Sequence, residues 1–141
     1  MRQIRTIVDE LTDRLAQGDQ GAIDDLVALD MVNHASGLQG REGWKQILAT
    51  IEVDLGPTTV ERHLTIAEGD LITTQLTIHG THRSSTMPLL TGVPVTGRSV
   101  AWEFIHIWRV AQDQIVEHWA CRDDLGLLAQ LGAWPPADVK G

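Results

Sequence analysis

The sequence predicts an α+β domain. Three observations carry this: apolar residues recur at helical spacing up to Gly56-Pro57, they switch to a period of two from Val60, and no strand–helix–strand alternation follows. Ile4, Ile7, Val8, Leu11 and Leu15 mark a first helix that Gly18 stops. A second short helix is expected from about Asp19 to Leu29, with Ile23, Leu26 and Val27 inward, and Met31 to Gly40 reads as an irregular loop. Trp44, Ile47, Leu48 and Ile51 define a third helix, ended by Gly56-Pro57. Val60, Arg62, Leu64 and Ile66 then alternate with Glu61, His63 and Thr65, and Gly69-Asp70 turns the chain into a Thr- and Ile-rich strand from Leu71 to His82. Arg83 to Gly97 carries Pro88, Gly92, Pro94 and Gly97 and must be mostly loop. Val100 to Val110 and Ile115 to Cys121 are strands joined by a turn at Ala111–Gln114. A last apolar helix holds Leu125, Leu127, Leu128 and Leu131, with Gly132 as its C-terminal stop.

The 141 residues fit a single domain, 1–141, with no repeat, linker or low-complexity segment. A net charge of −8 argues against nucleic acid or an anionic membrane as partner, because phosphate repulsion would go unopposed. One cysteine, Cys121, excludes an intramolecular disulfide and reads as a buried, inert thiol. No N-terminal apolar stretch or membrane-length apolar run is present, so a cytoplasmic protein is expected. Five Trp against one Phe and no Tyr imply a wide core or an apolar pocket.

The strand from Val100 to Val110 is apolar on both faces. Val100, Trp102, Phe104, His106, Trp108 and Val110 share one, and Ala101, Glu103, Ile105, Ile107 and Arg109 the other. Antiparallel strands usually wet one face. One face here should meet the helices or a cavity and the other a second sheet or another subunit, and a homodimer is the favoured expectation.

Few residues offer chemistry. Asp123 and Asp124 stand where the last strand runs into the last helix; one could cap that helix while the other serves as a general base in a cavity. His106 is the polar residue of a wide apolar face, suited to a core hydrogen bond, to a substrate oxygen or to a catalytic carboxylate. Hairpin counting places it opposite about residue 119, some ~13 Å along the strand from Asp123 at ~3.4 Å per residue, so the two can flank one cavity without touching. His34 follows Asn33 in a loop, where solvation is the plain expectation. His79 and His82 point to opposite faces of their strand, and neither HExxH nor CxxC occurs, so no metal site is expected. The absence of GxSxG, P-loop and dinucleotide motifs leaves acid–base chemistry in an apolar pocket, or binding alone.

The runs GTHRSST, GVPVTGRSVAWEFIHIWRV and IVEHWACRDDLGLLAQLG together resemble the SnoaL-like polyketide cyclases, or ester cyclases, of the nuclear transport factor two-like superfamily. VNHASGLQGREGWKQ and RHLTIAEGDLIT are compatible with it, so the resemblance spans nearly the whole chain. It implies a cone-shaped, curved, antiparallel-rich sheet with N-terminal helices. It also implies cofactor-independent intramolecular aldol ring closure, a lyase or isomerase type of reaction on a small apolar or polyketide-like ligand, with no metal. Asp123 would be the acid/base and His106 would hydrogen-bond a carbonyl. His34 and His82 match positions that line such pockets, and Trp44, Trp102 and Trp119 would stack on substrate and exclude water. The loop from Arg83 to Leu90 is longer and less acidic than the resemblance implies, which bears on the substrate. Two other readings stand beside this one: a non-catalytic ligand-binding cone with Asp123 only a cap, and a related isomerase, dehydratase or hydroxylase on the same fold.

Overall fold

The computed structural model describes residues 3–136. Helices α1 (Ile4–Ala16) and α2 (Gly21–Leu26) lead into strand β1 (Val27–Asn33) and helix α3 (Gly40–Leu55). Strands β2 (Thr59–Glu68), β3 (Leu71–Thr81), β4 (Ser99–Ala111) and β5 (Gln114–Arg122) follow, and α4 (Asp124–Gln130) is the last element among the described residues. A single 3-10 turn, Pro88–Leu90, interrupts the long loop between β3 and β4.

The five strands form one open sheet in the order β1-β5-β4-β3-β2. All neighbours are antiparallel except β1, which lies parallel to β5. β1 is the element the periodicity does not announce. The second helix ends at Leu26 instead of Leu29, and part of the expected loop pairs with β5. The segment is short and irregular, with a register break between Val27 and Val32, so its alternation is blurred. Further breaks at Arg62/Leu64 and Arg109/Val110 bend the sheet, since an extra residue on one strand adds local twist.

Helices cover the concave face. Ile7, Val8 and Leu11 of α1, Trp44 of α3, Ile72, Trp108 and Ile115 form one apolar cluster. Ile51, Leu55, Leu76, Met87, Leu90, Trp102, Phe104, Leu127 and Leu131 form a second beneath the loop and α4. Gly80 permits the close approach of α3 to β3: a Cβ there would lie 2.2 Å from the Leu55 carbonyl oxygen. At the same end of β4, beyond the end of β5, the strand edge is finished by a side chain. Gln130 of α4 accepts from the Ala101 N–H and donates to the Ala101 carbonyl, both at 2.8 Å, as a paired strand would.

The convex face holds Leu64, Ile66, Ile105 and Ile107, 51, 56, 45 and 36 % exposed. Cys121 is exposed there as well, contrary to the buried thiol expected, because it sits opposite Ile105 and shares its outward parity.

Candidate functional site

Three strands deliver polar side chains to one point between the two apolar clusters. His118 Nδ1 lies 3.1 Å from Asn33 Oδ1, and His118 Nε2 lies 2.7 Å from His106 Nδ1. The direction of each bond follows from the far end. Asn33 Oδ1 already accepts the Ala35 N–H at 3.0 Å, so it accepts from His118 as well. His118 therefore carries its proton on Nδ1 and accepts at Nε2, and His106 carries its proton on Nδ1. What remains is the lone pair of His106 Nε2, which has no hydrogen bond among the described residues. The Gln39 amide holds the backbone of Asn33 at both its N–H and its carbonyl, so the head of the chain is fixed.

The surroundings keep both rings neutral. Burial, reinforced by His118, pushes His106 down to about 3. Burial, with a smaller contribution from His34, pushes His118 down to about 4. His106 is stacked between Phe104 and Trp108, with ring centroids 5.2 and 4.9 Å away. Trp108 is fixed in turn by an N–H bond of 3.0 Å to Thr74 and by the edge of Trp44.

The junction of β5 and α4 supplies a second group. Asp123 is exposed and caps α4, accepting the Gly126 N–H at 2.9 Å. Gly126 makes this possible, since a Cβ there would stand 2.1 Å from an Asp123 carboxylate oxygen. Arg122 lies opposite Phe104, on the concave side. Its guanidinium carbon is 5.3 Å from the Trp102 ring centroid and one nitrogen is 3.1 Å from Asp124 Oδ2.

The remaining residues singled out from the sequence are dispersed. Trp44 and Trp102 are buried on the concave side, as side chains of the two clusters. His34 and Trp119 stack on each other at 4.9 Å on the convex face. Parity explains this: Trp119 lies opposite outward-facing Ile107, and His34 follows inward-facing Asn33. His34 Nε2 lies 2.6 Å from Glu117, whose carboxyl is held below its usual range by His34 and then Arg109. His82 is fully buried at the base of the long loop. Its Nδ1 accepts the Thr96 N–H, and its Nε2 donates to Ser85 at 2.8 Å, so both ring nitrogens hold the loop.

Asn33, His118, Arg122 and Asp54 escaped the sequence reading. The first two depend on β1 and on the register of β5, and Arg122 follows from the same parity as His118. Asp54, at 0 % exposure in the last turn of α3, anchors the long loop by accepting from the Thr86 N–H and hydroxyl and from the Met87 N–H. Burial alone would raise its pKa; those bonds outweigh it and hold the carboxyl below its ordinary value.

Two surface clefts lie away from this site: one of about 260 Å³ lined by Glu10, Arg14 and Asp25, and one of about 650 Å³ between α1 and α3. Among the described residues no three His, Cys, Asp or Glu side chains converge as metal ligands, and no helix is long and apolar enough to cross a membrane.

An open, curved sheet with helices on its concave face and polar residues at its floor defines a nuclear transport factor two-like cone. Residues 5–131 match the SnoaL-like polyketide cyclase family, and the chain belongs to that family. Among solved structures it is similar to IdmH from Streptomyces antibioticus, a candidate polyketide cyclase, with 30% identity, 93% of this chain and 99% of that chain covered and a TM-score of 0.79. AclR from Streptomyces galilaeus, a candidate hydroxylase, matches at 22% identity over 94% of this chain and 86% of its own, TM-score 0.79. TsrD from Streptomyces laurentii matches at 21% identity over 92% and 95%, TM-score 0.79. These last two likenesses establish the fold alone. No curated protein sequence matches the chain.

Proposed function

We propose that this protein is an acid–base enzyme of the cyclase type, closing a ring in a small polycarbonyl or polyketide-like substrate. The observation that carries the reading is the Asn33–His118–His106 chain ending in an open lone pair on the concave face. A carbon between two carbonyls is acidic enough for a side-chain base. His106 Nε2 takes that proton, with the negative enolate formed beside it supporting the positive charge that burial alone disfavours. The resulting charge is shared when the Nδ1 proton of His106 shifts to His118 Nε2, while Asn33 Oδ1 holds the Nδ1–H of His118. The enolate carbon attacks the second carbonyl, and the Nε2 proton of His106 passes to the alkoxide that forms while the shared proton moves back from His118 Nε2 to His106 Nδ1, which restores both neutral rings. The aromatic walls Phe104 and Trp108 exclude water and orient a flat substrate.

Asp123 is the other base, favoured by the family resemblance. Its bond to Gly126 favours a capping duty instead. The two are separated by single-turnover kinetics on a cyclisable 1,3-dicarbonyl substrate, with thermal melts as control. His106→Gln is expected to lower the rate constant ~10²–10⁴-fold, and Asp123→Asn to change it little. The reverse order would move the proton transfer to Asp123, full activity in both variants would place it on neither residue, and no turnover by the wild type would leave a binding protein. The same reading includes a homodimer joined through the convex face, where Leu64 with Ile66 and Ile105 with Ile107 form two exposed apolar pairs on either side of Gln75 and Thr73.

A further inference from the structure

Three of the six histidines stand on the convex face, outside the candidate site, and each is linked to a carboxylate. His34 Nε2 lies 2.6 Å from Glu117, and His79 Nε2 lies 2.8 Å from Glu61. His63 is the extra residue at the break in β2, and its Nε2 reaches the Thr77 hydroxyl at 2.7 Å. Thr77 donates in turn to Glu103 at 2.7 Å. Carboxylates accept, and the one hydroxyl proton of Thr77 is committed to Glu103, so all three rings donate from Nε2. The Nδ1 atom of each ring has no hydrogen bond among the described residues and is the place for a second proton. The bond from His79, helped by His63, holds the Glu61 carboxyl below its usual range, as His34 does for Glu117. The charge of these pairs therefore changes at the imidazole.

The other charges of this face are Arg109 and Asp70, which bond each other while Arg109 also bonds Glu117. Glu68 and Asp123 stand at its margins, at the end of β2 and in the cap of α4. With neutral imidazoles the face sets Glu61, Glu103, Glu117 and Asp70 against Arg109, and two copies of it repel. With the three rings protonated, cations match those carboxylates in number and are interleaved with them, so the face becomes complementary to itself. An isologous contact needs that property, because it presents the same patch twice. Burial adds to the difference, since a pair with net charge costs more to desolvate than a neutral ion pair. Histidine is also the side chain whose charge changes between about pH 5 and 8. We propose that the convex face is a proton-dependent self-association surface: a second copy of this chain docks on the Ile105–Ile107 and Leu64–Ile66 pairs, and His34, His63 and His79 take up protons as it does. The inference rests on the homodimer reading above and adds its regulation.

The test is sedimentation velocity of the full chain at about pH 8 and about pH 6.5, with thermal melts to confirm that the fold is intact at both. One proton taken up per dimer changes the dissociation constant about tenfold per pH unit. The constant should therefore fall about tenfold or more across this interval. Dilution calorimetry at about pH 7 in phosphate and in Tris, which differ in ionisation enthalpy, should give different heats of dissociation. A His34→Gln, His63→Gln, His79→Gln variant keeps a neutral donor at each position, and its constant should be the same at both pH values. A wild-type dimer whose constant is unchanged or rises as pH falls, or whose heat is equal in the two buffers, overturns the proposal and leaves the homodimer standing. A monomer at every pH overturns both. If the triple variant does not fold by circular dichroism, the buffer comparison on the wild type decides alone. The cyclase reading is measured by turnover and is untouched by any of these results.

Discussion

His106 and His118 meet diagonally across β4 and β5, Nδ1 to Nε2 at 2.7 Å, although neither is the other's backbone partner. His106 lies opposite Ala120 and His118 opposite Trp108. The small Ala120 side chain leaves the diagonal open for two imidazoles whose centroids are 5.0 Å apart. A directly paired arrangement would have stacked them face to face without a shared proton.

The bond directions make a spectroscopic prediction. Nitrogen-15 NMR at pH 7 should find His106 and His118 both neutral and both protonated on Nδ1, the less common tautomer in solution. Asn33→Ala removes the acceptor that fixes His118, so mixed tautomers should appear at both rings. Nε2-protonated His118 in the wild type would contradict the relay.

Acid should unfold the protein through these same rings. Each has a folded pKa below the ordinary 6.5, at about 3 for His106 and about 4 for His118. The unfolded state therefore binds protons first, and stability falls as pH drops from about 6.5 towards 4. At pH 5 the two rings account for about two protons taken up on unfolding. A His106→Gln, His118→Gln double variant should show a flatter midpoint-against-pH curve across that window, measured by thermal melts. An unchanged slope would mean the rings titrate normally in the fold.

Asp54 contributes in a lower window. Its folded pKa is depressed, so its contribution is present above the unfolded value of about 3.9 and is lost as pH falls through the folded one. Asp54→Ala leaves the Met87 and Thr86 N–H groups without their acceptor. It should cost about 3 kcal/mol in urea unfolding at pH 7, and proteolysis should then cut between Arg83 and Val95. A cost under about 0.5 kcal/mol would show the loop to be held by His82 alone.

The convex face makes a concentration-dependent prediction. Light scattering of the wild type at micromolar concentration should give a dimer, and Ile105→Glu with Ile107→Lys should give a folded monomer. A wild-type monomer would mean that this apolar surface is left uncovered in solution.

The strands from β2 to β5 and the helices α1 and α3 were legible because each runs for nine or more residues, long enough for a period of two or 3.6 to show despite the breaks in β2 and β5. β1 was not, because seven residues with a register break give no clean period. That one strand explains most of the site's illegibility. Without it, Asn33 and His34 read as loop residues, and their opposite faces cannot be assigned. The register of β5 mattered equally. Hairpin counting put residue 119 opposite His106, and the irregularity at Arg109/Val110 makes it Ala120, which turns His118 and Arg122 inward and Trp119 outward. The inward set of β4, from Val100 to Val110, was read correctly because the extra residue at that irregularity, Val116, lies on β5 and leaves the alternation of β4 intact. Family membership was carried by the C-terminal block, a contiguous motif that needs no register to recognise.

Asn33 and His118 are 85 residues apart in the chain and meet through β1, the edge strand laid parallel to β5. Parallel pairing of distant segments is among the slowest contacts a chain can form, and an edge strand is among the first to let go. The orientation of the last proton acceptor, at His106, is thus conditional on the final seam of the fold being shut. A molecule with its helices packed and its central hairpins formed, but with β1 detached, would keep the aromatic neighbours of His106 and lose the Asn33 acceptor that fixes the His118 tautomer. Reactivity in such a design is a property of the finished topology, withheld from partly assembled chains.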